Sequence, residues 1–168
     1  MASRTDLDKV WMVLSPQNPF KKKSSLAKDY DRLHLLRLAI DDNLLLKASD
    51  IEFNLPKPSY TIDTLTYLKE KNPVTEFVLI MGSDNLENLH KWKNFELILK
   101  CHFIYAYKRP NHDASKWSDH PKVKIFDAPL MEISAQYIRK SIKEGKSVQY
   151  LVPDAVFQYL EGSSLYRK

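Results

Sequence analysis

At 168 residues, with 43% hydrophobic and 28% charged content, the chain is long enough for a single domain with a substantial core. Its net charge of +5 is spread over loop and helix ends instead of one basic tract, which suits phosphate contacts better than a nucleic-acid stripe. No apolar run approaches the roughly 20 residues of a membrane span, the start carries no signal-peptide pattern, and the one cysteine, Cys101, excludes an intramolecular disulfide and a thiolate metal cluster, so a reducing cytoplasm is the expected compartment.

Apolar, β-branched stretches predict strands over residues 9–14, 46–52, 76–81, 102–107 and 123–127. Helical patterns separate them. Residues 29–41 place Leu33, Leu36 and Ile40 on one stripe with Ala39 beside them, and Thr61–Lys71 follows a turn holding Pro56, Pro58 and Ser59. Residues 84–100 read as two short helices, the first opened by the capping-box form Asp84-Asn-Leu-Glu87, the second capped by Asn94. Helices over 134–143, ended by Gly145 in a left-handed position, and over 153–160 complete the series. The alternation predicts a parallel α/β sheet with helices on both faces. Residues 108–121 form the most polar stretch and are expected to be mobile.

The three glycines, Gly82, Gly145 and Gly162, build neither a G-x-G-x-x-G nor a G-x-x-x-x-G-K-[ST] motif, which excludes a dinucleotide-type dehydrogenase and a P-loop kinase. In open α/β sheets, ligands meet the carboxyl ends of strands and the helix starts that follow. That rule selects five segments: 15–23, 54–63, 82–85, 108–110 and 128–136. Lys21, Lys22 and Lys23 offer ammonium donors in a loop shaped by Pro16 and Pro19, or form a solvated surface. Ser59 or Thr61 caps a helix whose first turn holds Asp63, and free N–H groups there can also grip a carboxylate or carboxamide. Gly82 permits close backbone approach, while Asp84 can cap a helix or accept from a ribose hydroxyl. Trp92, between Lys91 and Lys93 at a helix break, is either a core residue or a platform for a flat ring. Ser134 starts a helix and Arg139 follows about one turn later, as an ordinary cap with a surface arginine or as a phosphate clamp.

No nucleophile stands out. Cys101 is expected to begin a strand, and the five histidines show no metal-ligand spacing. A phosphate-binding enzyme without a nucleophile is coherent, because nucleotidyl transfer can proceed by direct in-line attack.

The ordered series SPQNPFKKK, PKPSYTIDTL, FVLIMGSDNLENLHKWKNFELI, YKRP, EISAQYIR and YLVPDAVFQYL closely resembles bacterial nicotinate-nucleotide adenylyltransferases over nearly the whole chain. The resemblance implies a Rossmann-like nucleotidyltransferase fold that joins nicotinate mononucleotide to ATP with magnesium assisting, giving deamido-NAD and pyrophosphate. It implies that Lys21 meets phosphate and that Thr61, with the backbone near Trp92 and Lys93, fixes the nicotinate carboxylate while Trp92 stacks on the pyridine. Gly82 and Asp84 would line the ribose region; Ser134, Gln136 and Arg139 would hold ATP phosphates, with Lys21 and Arg139 as phosphate stabilisers. No nucleic-acid or membrane partner is implied, and self-association is left open.

Departures accompany the resemblance. Phe20 stands where many relatives carry histidine, and Ala135 and Gln136 replace two hydroxyls of the usual ISST, although Gln136 can still donate. The family's opening strand and G-x-F-x-P-x-H-x-G-H loop have no match, so residues 10–14 read as the second strand of the fold, the first strand and the catalytic histidines being expected to precede it. One lost preorganised donor costs about 2.7–4 kcal/mol, and the expectation is a nearly inactive chain. Two alternatives remain at this point: a transferase for nicotinamide mononucleotide or another phosphorylated acceptor, and a non-catalytic nucleotide-binding module.

Overall fold

Strands and helices alternate along the chain in the computed structural model, which describes residues 1–17, 27–129 and 131–167. In order they are β1 (Val10–Val13), α1 (Asp29–Ile40), β2 (Leu46–Ser49), α2 (Thr61–Lys71), β3 (Leu79–Gly82), α3 (Ser83–Glu87), α4 (Phe95–Cys101), β4 (Ile104–Tyr107), β5 (Val123–Phe126), α5 (Ala135–Lys143) and α6 (Asp154–Glu161). All strand pairings among the described residues are parallel, as helical crossovers require. They make a pair, β1–β2, and a triplet in the order β3–β4–β5. The chain forms two compact units, one of Met1 with Leu55–Leu130, the other of Ala2–Asn54 with Met131–Lys168.

The first unit is built on the triplet. The α2 stripe Ile62, Leu65 and Leu68 is buried, repeating every three residues as one helix face does. Its core also holds Leu86 and Leu89 from α3 and the 3-10 turn Leu89–Lys91, Ile98 from α4, and Ile104 and Ala106 from β4, all fully enclosed. Trp92 and Trp117 pack against this core while half-buried.

In the second unit, Ile142, Val148, Val156 and Leu160 form the core. Leu33 of α1 is buried as predicted, but the α1 side chains packed on this core are Leu35, Leu38 and Ala39. With leucines on several sides of the helix, the sequence stripe alone did not select the packed face.

Several local expectations are corrected. The predicted strand over 46–52 stops at Ser49, because Ser49 Oγ accepts from the N–H of Ile51 and a 3-10 turn runs over Ile51–Asn54. The strand predicted from residue 76 begins at Leu79 and includes Gly82. Cys101 ends α4 instead of beginning a strand: the N–H of His102 still donates to Ile98, and ladder bonding starts with Leu79 donating to Phe103. The polar 108–121 loop is anchored, with Ala114 buried and Trp117 on the core within the 3-10 turn Ser115–Trp117, and with Asp113 accepting from Ser115.

At the end of α5, Gly145 sits at φ 71° as predicted, its N–H donating to Ile142 and that of Lys146 to Ser141. This is the paired bonding that satisfies the last carbonyls of a helix. A Cβ on Gly145 would meet nothing within 4 Å, so Gly145→Ala isolates the backbone cost of the left-handed conformation. The expected loss is about 1–2 kcal/mol of unfolding free energy, read from urea melts, with Gly145→Asn losing less.

Candidate functional site

Register brings Gly82, Tyr107 and Phe126 side by side at the carboxyl ends of β3, β4 and β5. The chain then turns directly into α3. Gly82 occupies the N-cap position with ordinary extended backbone, φ −80°, and no side-chain cap. The capping role predicted for Asp84 is therefore corrected: the N-cap lies two residues earlier, at Gly82, and Asp84 turns to Arg109. Asp84 Oδ1 lies 3.3 Å from Arg109 Nε, and Oδ2 accepts from the guanidinium at 3.5 Å. Oδ1 is buried and ion-paired but accepts no hydrogen bond among the described residues.

Arg109 is held from several directions. Its backbone N–H donates to Ser83 Oγ at 2.8 Å, and its guanidinium donates to Tyr107 Oη at 2.7 Å. The Tyr107 bond, with attraction from Tyr107 and Asp84, raises the Arg109 pKa above its ordinary value against an opposing effect of burial. A Cβ on Gly82 would fall on Asp84 Oδ1 and lie 2.6 Å from Arg109 Nε. The close approach predicted at Gly82 is thus made by the chain's own ion pair. Sequence reasoning gave Arg109 no role; its signal was its place in YKRP, just beyond a strand end.

A second group of residues gathers at the start of α2. Tyr60, not Ser59 or Thr61, is the N-cap residue, and it offers no side-chain cap. Its carbonyl accepts from Asp63 and Thr64, which leaves the N–H groups of Thr61 and Ile62 without a helical acceptor. Ser59 is buried, and its hydroxyl has no partner among the described residues. Asp63 lies in the first turn, where its charge complements the dipole, and both its oxygens accept from Lys93 Nζ, at 3.2 and 2.9 Å. The same ammonium sits 4.6 Å from the centre of the Tyr60 ring. This joins the Trp92–Lys93 turn to α2. Trp92 caps the 3-10 turn after α3, its N–H donating to Leu89. Asn94 takes the N-cap position of α4 as predicted, but with left-handed backbone and no side-chain bond; its carbonyl accepts from Leu97 and Ile98 instead.

In the second unit, Ser134 is the N-cap of α5 and its Oγ accepts from the N–H of Tyr137 at 3.1 Å, as expected of that position. Ser134 and Gln136 are exposed and Arg139 is half-buried. Lys21, with Lys22 and Lys23, lies outside the described residues. Thr61, Trp92, Lys93, Gly82 and Asp84 all belong to the first unit.

Comparison with known proteins supplies the remaining step. The cytidylyltransferase-like family matches residues 1–141. A Flavobacterium psychrophilum protein described as a "Probable nicotinate-nucleotide adenylyltransferase" is 52% identical over 170 residues, spanning 100% of this chain and 88% of that one. One from Cytophaga hutchinsonii with the same description is 50% identical, spanning 99% and 86%. A solved Plasmodium falciparum nicotinic acid mononucleotide adenylyltransferase, complexed with NaAD, superposes with a TM-score of 0.76 over 95% of this chain and 83% of that one. At 20% identity it supports the fold alone. The chain belongs to the nicotinate-nucleotide adenylyltransferase family, transferases of NAD biosynthesis with a Rossmann-like nucleotidyltransferase fold.

Proposed function

We propose that this chain works by direct adenylyl transfer, in which a 5′-phosphate oxygen of nicotinate mononucleotide attacks the α-phosphorus of ATP. The bond to the bridging oxygen of the β-phosphate breaks, pyrophosphate leaves with that electron pair, and deamido-NAD forms. The observation that carries this reading is the open start of α2, with two free N–H groups and a buried, unpartnered Ser59 hydroxyl. Such a helix end suits an anionic carboxylate. Thr61 adds a hydroxyl there, and Trp92, half-buried on the adjoining turn, stacks on the pyridine ring.

Gly82 and Asp84 face the ribose, the partly exposed Asp84 carboxylate serving as acceptor for a hydroxyl. In the second unit the helix start at Ser134, the Gln136 amide and the Arg139 guanidinium bind ATP phosphates. The Ser134 hydroxyl, already accepting from Tyr137, remains free to donate. Lys21 is the further phosphate contact. A divalent cation, magnesium by preference, would come with ATP as substrate and would supply neutralisation of phosphate charge. It would need only one or two protein carboxylates besides phosphate oxygens. Among the described residues no helix is long and apolar enough to cross a membrane, and the cytoplasm is the compartment this reading implies.

Calorimetry with nicotinate and nicotinamide mononucleotides, paired with pyrophosphate release from ATP, tests the reading. Tighter binding of the acid is expected, with Trp92→Ala weakening both ligands by about 1–3 kcal/mol, the range for a lost aromatic stack. Equal binding would favour an amidated or other phosphorylated acceptor. ATP binding without pyrophosphate release from either pair, even with the family's G-x-F-x-P-x-H-x-G-H segment restored, would favour a nucleotide-binding module.

A further inference from the structure

We infer that the Lys93 side chain is a specificity-determining residue, one that cancels the charge of Asp63 and so lets the start of α2 accept an anionic ring substituent. The inference rests on the placement of that substituent at α2, but adds a function for two side chains to which that placement gives none. Asp63 is the third residue of the helix. A carboxylate there competes for the same partial positive charge that would attract an incoming carboxylate. Left alone, it would also repel that ligand across about one helical turn.

The chain supplies a counter-charge from 30 residues away. Lys93 Nζ meets both Asp63 oxygens, at 3.2 and 2.9 Å, and the Tyr60 ring face holds the ammonium at 4.6 Å. Tyr60 is itself the N-cap, so the cation is fixed against the residue that begins the helix. The result is a helix start whose first-turn acid is neutralised by a side chain instead of by the dipole. An amide substituent carries no charge and gains nothing from this shielding. Lys93 therefore acts on the choice between acid and amide, and not on affinity in general. Both side chains are about 40% exposed, at 42% and 44%, so solvent screening keeps the effect moderate.

The test is the ratio of Kd values for nicotinamide and nicotinate mononucleotide in the full chain, measured by calorimetry. Lys93→Met, which keeps the backbone at that position, should lower the preference for the acid by about three- to tenfold, the larger loss falling on the acid. Asp63→Asn combined with Lys93→Met should restore the preference, because the charge that needed cancelling is gone. An unchanged ratio in Lys93→Met overturns the inference. So does a double variant no better than Lys93→Met, which would mean that the ammonium holds the turn or touches the ligand directly. A starting protein with no acid preference would instead overturn the assignment of α2 itself. Thermal unfolding of each variant, together with the amide Kd, shows that the site is intact.

Discussion

Replacing Leu89 by alanine will lower the unfolding free energy by about 2–5 kcal/mol, the range for emptying a closed leucine site. Leu89 has no exposed surface, and it lies where α3 gives way to the turn that carries Trp92. Around it Leu86, Ile98 and Ile104 are equally enclosed, so no mobile surface chain can collapse into the space. The backbone carbonyl of Leu89 also accepts from the N–H of Trp92 at 2.9 Å. Loss of its side chain should therefore loosen the ring platform as well as the core. The neighbouring His90 is exposed, and His90→Ala should change stability by no more than about 0.5 kcal/mol. Urea melts of the two variants make the comparison; a Leu89→Ala loss below 1 kcal/mol would contradict the packing described above.

Gly82→Val should abolish measurable nucleotide binding, and Gly82→Ala should weaken it at least tenfold, a loss of about 1.4 kcal/mol or more. The backbone there is extended and open to any residue, so the obstacle is space and not conformation. The first side-chain carbon must displace Asp84 Oδ1 and Arg109 Nε, and with them the ion pair at the end of β3. Stability should fall by about 1–3 kcal/mol, as overpacking does. Removing Arg109 vacates part of that space, so Gly82→Ala combined with Arg109→Ala should cost less than the sum of the single changes. Strict additivity in urea melts and in ATP affinity would sink this account.

Strand positions were readable because parallel strands covered by helices are short apolar runs, and 102–107 and 123–127 are such runs in YAY and VKIF context. Ser134 and Gly145 were readable too, since capping chemistry is local to a few residues. The readings that failed depended on distant partners. Asp84 looks like a cap until Arg109, 25 residues on, is brought beside it by the β3–β4 pairing. Asp63 does complement the dipole as read, but its ion pair with Lys93, from beyond α3, had no local signal. Cys101 looked like a strand start because CHFIYAY is largely apolar; the helix that precedes it simply continues one residue farther than its pattern suggests. The residues proposed to meet the ligand were nearly all named from local signals. The side chains that hold them in place came from topology.

The exposed thiol at the end of α4 has a practical consequence for anyone weighing this chain. It is the one cysteine among the 168 residues, so a protein disulfide formed in air cannot close within the chain and instead joins two copies through Cys101. A dimer seen on a sizing column without reductant would then be a covalent product of storage. The same species surviving in reductant, or in Cys101→Ser, would be a genuine assembly.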